Sequence, residues 1–207
     1  MTEGSSAPLR FVALGDSYTI GTATRTPAER WPDQVAARLD SSAAPLELIA
    51  NLGVDGFTSR DVIEVELPQL PALDPDFVTL LVGVNDVVQG VPEPTYRENM
   101  AIIFDELLGR LAATRILAVT TPDYTVTPRG GDYGDPAQQA AEIRRFNAAM
   151  SELASGRGIR VVDIHDISLE AATDRSLVAD DGLHPSGAQY ARWVDRIAPA
   201  IEDLLGS

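Results

Sequence analysis

Five short, mainly apolar runs, Phe11 to Leu14, Leu46 to Leu52, Phe77 to Val82, Ile116 to Val119 and Ile159 to Val162, are bounded by turn-forming residues and separated by stretches with helical spacing. Runs of this length read as buried strands. The clearest helical face is Tyr96, Met100, Ile103, Leu107 and Leu111, with Pro94 near its start. Ile143, Phe146, Met150 and Leu153 form a second such face, and Tyr190, Val194, Ile197, Ile201 and Leu204 a third. Pro32 to Leu39 and Ser59 to Leu67 carry weaker helical signals. Strands separated by helices cannot be joined by tight hairpins, so they lie parallel, with right-handed crossovers placing helices on both faces. The pattern predicts a three-layer α/β/α sandwich around a five-stranded parallel sheet.

At 207 residues the chain is expected to form one domain over 1–207, with 1–8 as a flexible N-terminal tail. Asp and Glu total 31 against 16 Lys and Arg, and a net charge of −15 repels phosphate backbones and anionic membrane surfaces, so no nucleic-acid partner is expected. There is no cysteine for a disulfide or a thiolate metal site, and two histidines are too few for a zinc site, so no metal is expected. No run reaches the roughly 18 apolar residues of a membrane-spanning helix, and residues 1–10 contain no apolar signal core. A cytoplasmic location without integral membrane association is expected. Oligomeric state is not legible.

Ligands of open parallel sheets bind beyond the carboxyl ends of the strands. Gly15-Asp16-Ser17-Tyr18 follows the first run, Asn51-Leu52-Gly53-Val54-Asp55-Gly56 the second and Gly83-Val84-Asn85-Asp86 the third; Asp181-Gly182-Leu183-His184-Pro185 stands before the last helix. Singly, each is an ordinary turn. Together, in order and spacing, they resemble the four signature blocks of the SGNH hydrolases, the GDSL-like esterase and lipase family, from Phe11 to the last helix. Tyr18 stands where the family's four-letter name has Leu. The resemblance implies a flavodoxin-like SGNH hydrolase fold, no cofactor, a catalytic Ser17 with Asp181 and His184, and an oxyanion hole formed by Ser17, Gly53 and Asn85.

The chemistry of these residues agrees with that assignment. A serine hydroxyl needs an adjacent base, and the base needs a third group to hold its tautomer. Asp181 lies three residues before His184, within reach of its Nδ1 through one turn; the other histidine, His165, has no such neighbourhood. Pro185 turns His184 away from helical geometry, and Ser186 with Gln189 resembles a capping box opening the last helix. Asp16 and Asp86 are expected to brace their loops. Tyr18, Trp31, Phe57, Val84, Tyr124 and Leu183 are candidate pocket walls by nearness to the motifs, and Thr121 to Pro136 is expected as a long surface loop beside the substrate.

The expected activity is hydrolysis of short acyl carboxylic esters through an acyl-enzyme. Lysophospholipase, thioesterase and carbohydrate O-deacetylase activities use the same machinery, and a non-catalytic small-ligand or nucleotide-binding α/β domain is the alternative of another class. Gly15-Asp16-Ser17-Tyr18-Thr19 does not fit the Gly-x-Ser-x-Gly elbow of the α/β-hydrolases, and no Gly-x-Gly-x-x-Gly or P-loop sequence follows any run.

Overall fold

The structure is a computed structural model that describes residues 7–206. Of the expected tail, 1–6 lie outside the described residues. The five apolar runs become β1 (Leu9–Gly15), β2 (Leu46–Asn51), β3 (Phe77–Leu81), β4 (Ile116–Val119) and β5 (Arg160–Val162), all parallel in the order β2-β1-β3-β4-β5. Phe11, Val12, Ala13 and Leu14 of β1 and Phe77 and Val78 of β3 are fully buried, as strands covered on both faces must be. The chain steps from β1 to β2 on one side and then returns past β1 to β3, so the crevice at the carboxyl ends of β1 and β3 is the topological switch point. Gly15 and Leu81 are register partners at that crevice.

The helices are α1 (Ser17–Ile20), α2 (Trp31–Leu39), α3 (Ser59–Asp61), α4 (Leu70–Leu73), α5 (Val84–Val88), α6 (Glu93–Leu108), α7 (Pro136–Ser155), α8 (His165–Leu169) and α9 (Gly187–Leu205). With right-handed crossovers the reversal of strand order puts α2 on one face and α6 with α7 on the other; α9 packs against α2 and completes the first layer. Tyr190, Trp193, Val194, Ile197 and Ile201 form the buried stripe of α9, roughly 1.5–3 kcal/mol for each large apolar side chain. Its start is capped by Ser186 Oγ, which accepts from Gln189 N–H at 3.3 Å. Among the described residues, no helix is long and apolar enough to cross a membrane.

Three expectations change. Leu111 falls beyond α6, which ends at Leu108 before Gly109. The single helix expected over Ser59 to Leu67 is a broken one: α3 passes into a π turn, Val62–Glu66, then a 3₁₀ turn, Leu67–Gln69, and then α4. Pro68 and Pro71 are the cause, since neither has an N–H to donate back along the helix and each ring crowds the preceding turn. The stretch Thr121 to Pro136 is exposed only in its later part. It enters through buried Thr121, Asp123 and Tyr124 and contains two 3₁₀ turns, Tyr124–Val126 and Gly130–Tyr133. Asn147 of α7 pins its start by accepting from Thr121 N–H and donating to Thr121 C=O, both at 2.8 Å.

Candidate active site

Ser17 opens α1 directly beyond β1. Asp16 caps that turn, its Oδ1 accepting from Tyr18 N–H at 2.9 Å. The Ser17 N–H, at the first helical position, has no intrahelical acceptor. Its side chain meets the segment before α9: Ser17 Oγ lies 3.0 Å from His184 Nε2, and His184 Nδ1 lies 2.6 Å from Asp181 Oδ2. An ionised carboxylate only accepts, so Nδ1 carries the proton and Nε2 is left to accept from the serine hydroxyl. Tyr18 packs its ring 5.5 Å from the His184 ring.

The 181–184 turn is built to hold that carboxylate. Asp181 Oδ1 accepts from the N–H groups of Leu183 at 2.9 Å and His184 at 3.0 Å, and Gly182 supplies the positive φ of 75° that lets the chain fold back. Partial burial works against ionisation of Asp181, but the hydrogen bonds from the His184 ring and the two backbone N–H groups outweigh it and hold its pKa below the usual value. The second histidine, His165, is elsewhere, 3.6 Å from the buried carboxylate of Asp123.

Asn85 stands on α5 beyond β3 and donates from Nδ2 to Phe57 C=O at 2.9 Å, which leaves its second amide hydrogen free of that bond. Gln89, one turn on, donates to Gly56 C=O at 3.2 Å, so α5 grips the loop 56–57 at two points. Asp86 braces the same region, accepting from Ser59 N–H at 2.8 Å and Ser59 Oγ–H at 2.5 Å.

A cavity of about 270 Å³ lies at the switch point, lined by Ser17, Tyr18, Asp55, Gly56, Val84, Asn85, Val88, Tyr124, Tyr133, Leu183 and His184. Four of the expected wall residues are there. Phe57 is not among the lining residues, its carbonyl being taken by Asn85, and Trp31 is fully buried in the core at the start of α2. Gly53 also has to be corrected. Its N–H is directed to Asn51 Oδ1 at 3.2 Å, and a Cβ there would lie 2.7 Å from Ile20 N and 2.8 Å from Asp16 O. Gly53 is therefore a close-packing glycine against α1. Gly56, three residues on, lines the cavity with φ 82° and open space where a Cβ would be. Gly53 and Gly56 stand in the same block after the second run, and only the fold separates them; Asp55 lies between them in that block, and Val88 and Tyr133 carry no sequence signal beyond nearness to a motif or position on a loop.

A 2-1-3-4-5 parallel sheet with Ser, Gly, Asn and His brought from four separate segments to one rim defines the SGNH hydrolase class. The chain belongs to the GDSL-like lipase/acylhydrolase family, whose model matches residues 13–192. Among solved structures it resembles a lipase/acylhydrolase from Enterococcus faecalis (TM-score 0.73, 19% identity, 94% of this chain and 96% of that one). It also resembles the psychrotrophic esterase EstA from Pseudoalteromonas sp., solved with monoethylphosphonate as inhibitor (0.72, 18%, 96% and 99%). An acetylxylan esterase from Geobacillus stearothermophilus is similar too (0.71, 18%, 98% and 96%). At these identities the likeness is one of fold. No curated protein matches in sequence.

Proposed function

We propose that the chain is a serine carboxylic-ester hydrolase for short acyl groups, with Ser17 as nucleophile, His184 as base and Asp181 as its orienting carboxylate. The observation that carries this reading is the continuous hydrogen-bonded line from Ser17 Oγ through His184 to Asp181 at the edge of a cavity. His184 Nε2 takes the hydroxyl proton as Ser17 Oγ bonds to the ester carbonyl carbon. The C–O bond to the alcohol then breaks, and the alcohol leaves with the proton from Nε2. Water attacks the acyl-enzyme with His184 again as base; the acid departs and Ser17 regains its hydrogen. The tetrahedral oxyanion is met by Ser17 N–H, Gly56 N–H and the free hydrogen of Asn85 Nδ2, donors that cost no reorganisation as charge develops.

The cavity is small beside the roughly 300–1,000 Å³ of common ligand sites, and Val84, Val88 and Leu183 give it apolar wall, which supports a short acyl group. Covalent capture tests the proposal: a fluorophosphonate is expected to add one phosphonyl group, found on the peptide containing Ser17. Labelling elsewhere, or none while the chain is folded, overturns it.

The alcohol side of the substrate is neutral or cationic on this reading. Asp55 is an exposed carboxylate on the cavity wall, its Oδ1 accepting from Thr22 Oγ1–H, and no Arg is among the lining residues. Such a rim disfavours phosphate or carboxylate near the ester and can accept from the hydroxyls of a sugar, the kind of ester suggested by the acetylxylan esterase likeness. Asp55→Asn is expected to raise kcat/KM for an acetyl ester with a sulfonated aromatic leaving group by about three- to fivefold at low salt, leaving neutral p-nitrophenyl acetate nearly unchanged. Equal responses of the two esters would sink the assignment.

A further inference from the structure

On the proposed mechanism His184 Nε2 hands the serine proton to the alcohol oxygen as the C–O bond breaks, so that oxygen has to lie beside His184. Whatever the alcohol carries therefore meets the part of the cavity wall nearest the histidine. That part is continued by the segment 121–136. Arg129 N–H donates to Gly182 C=O at 3.0 Å, inside the turn that holds Asp181 and His184, and a Cβ at Gly182 would lie 3.4 Å from Arg129 Cγ. Tyr124 and Thr127 also share the lining of a second, far smaller hollow with Leu183 and His184. The segment is thus strapped to the Asp181–His184 turn.

Four residues beyond Arg129 stands Tyr133, a large side chain that lines the main cavity and is nevertheless 37% exposed. Its place is fixed by the turn that carries it. Arg129 Nε–H donates to Asp132 Oδ2 at 2.8 Å and Asp132 N–H to Arg129 C=O at 3.0 Å, while Gly130 packs so closely on the preceding turn that a Cβ would lie 2.5 Å from Thr125 O. The Tyr133 ring meets that of Tyr124 edge to face, centroids 5.7 Å apart and planes at 80°. Tyr124 is buried, and its hydroxyl donates to Gln139 Oε1 at 2.9 Å. Tyr124 is therefore settled in the wall, and Tyr133 stands against it partly uncovered.

Resting on the reading of His184 as the acid that releases the alcohol, we propose that Tyr133 is the residue that selects the alcohol, a platform for an uncharged alcohol built on a ring. The face of an aromatic ring attracts the positively polarised C–H groups of a sugar ring or the edge of a second aromatic. A rigid ring covers the tyrosine without loss of internal rotation, whereas an open-chain alkanol has to freeze its rotors to do the same. A tyrosine already held by its turn loses little freedom itself on contact. Asp55 on the same cavity, and the lack of Arg among the lining residues, favour the uncharged form.

Three acetyl esters test this: phenyl acetate, a methyl pyranoside carrying one O-acetyl group, and ethyl acetate as the open-chain reference. Within each enzyme the ratio of kcat/KM for a ring ester to that for ethyl acetate is the readout, so differences in active fraction cancel. Tyr133→Ala is expected to lower that ratio by about tenfold, and Tyr133→Phe, which keeps the ring, to hold it within about twofold of the wild type. A fall for the pyranoside alone identifies the ring as a sugar, and a fall for phenyl acetate alone identifies it as aromatic. A ratio unchanged in Tyr133→Ala overturns the proposal, because a merely structural tyrosine would lower all three rates together. A Tyr133→Phe ratio as low as that of Tyr133→Ala also overturns it, by moving the contact from the ring to the hydroxyl. Wild-type protein that takes up a fluorophosphonate at Ser17 while the ratios stay level shows that the platform alone is wrong. Wild-type protein that neither labels nor hydrolyses any of the three esters overturns the platform and the mechanism together.

Discussion

Ser17→Ala is expected to lower kcat for p-nitrophenyl acetate by on the order of 10⁴-fold or more, with the folded state unchanged. On the proposed mechanism the hydroxyl is the atom that forms the acyl bond, and the rim offers no substitute: the chain has no cysteine, and the neighbouring Tyr18 is buried against His184. His184→Ala should cost nearly as much, because a serine without its base is scarcely nucleophilic. The double variant should be hardly worse than either single one, since the two groups act as a unit. Purified variants compared by initial rates, with circular dichroism as a check on folding, measure this. A Ser17→Ala enzyme that retains a tenth of wild-type activity refutes the mechanism.

The largest effect on stability is expected from Gly15→Ala. A Cβ at Gly15 would stand 2.0 Å from Leu81 O and 2.5 Å from Thr19 Oγ1, on a backbone with φ 147° that side chains of ordinary chirality avoid. Leu81 O is backbone of a central strand, paired in register with β1, so relief requires the two strands to part. A loss above roughly 4 kcal/mol follows, enough to leave much of the chain unfolded. Gly90→Ala is the control: φ is 69° but no atom lies within 4 Å of the added carbon, so only the backbone term of about 1 kcal/mol is expected. Denaturant unfolding of the two variants separates them, and a Gly15→Ala protein within 1 kcal/mol of wild type would show the crevice to be far softer than drawn.

The parts of the molecule that were legible in the sequence are those fixed by local pattern. Burial on both faces makes β1 and β3 mainly apolar runs, and the spacing of Tyr96, Met100, Ile103 and Leu107 marks the inner face of α6. The Asp181–His184 pairing was legible for the same reason, since one turn of chain is enough to build it. What could not be read depends on which distant atom meets a residue. Gly53 and Gly56 look alike in sequence, and only the approach of α1 makes the first a packing contact and leaves the second open to the cavity. Glu66 is an ionisable residue in a segment with helical spacing, which favours an outside position; the π turn, set up by the prolines after it, leaves it fully buried beneath Gly15. Tyr133 reaches the cavity because the loop start is pinned by Asn147, 26 residues from Thr121 along the chain.

The partners in the proposed proton transfer, Ser17 and His184, are separated by 167 positions, and the histidine is carried in just ahead of the helix that packs on α2. During synthesis Ser17, the proposed nucleophile, is translated 167 positions ahead of His184, its proposed base. A growing chain with its sheet already paired would thus carry an unarmed serine, inert toward cellular esters and toward its own neighbours. On the proposed mechanism, activity would appear only when the segment carrying His184 docks beside Ser17, so that docking event would also be the switch into an enzyme.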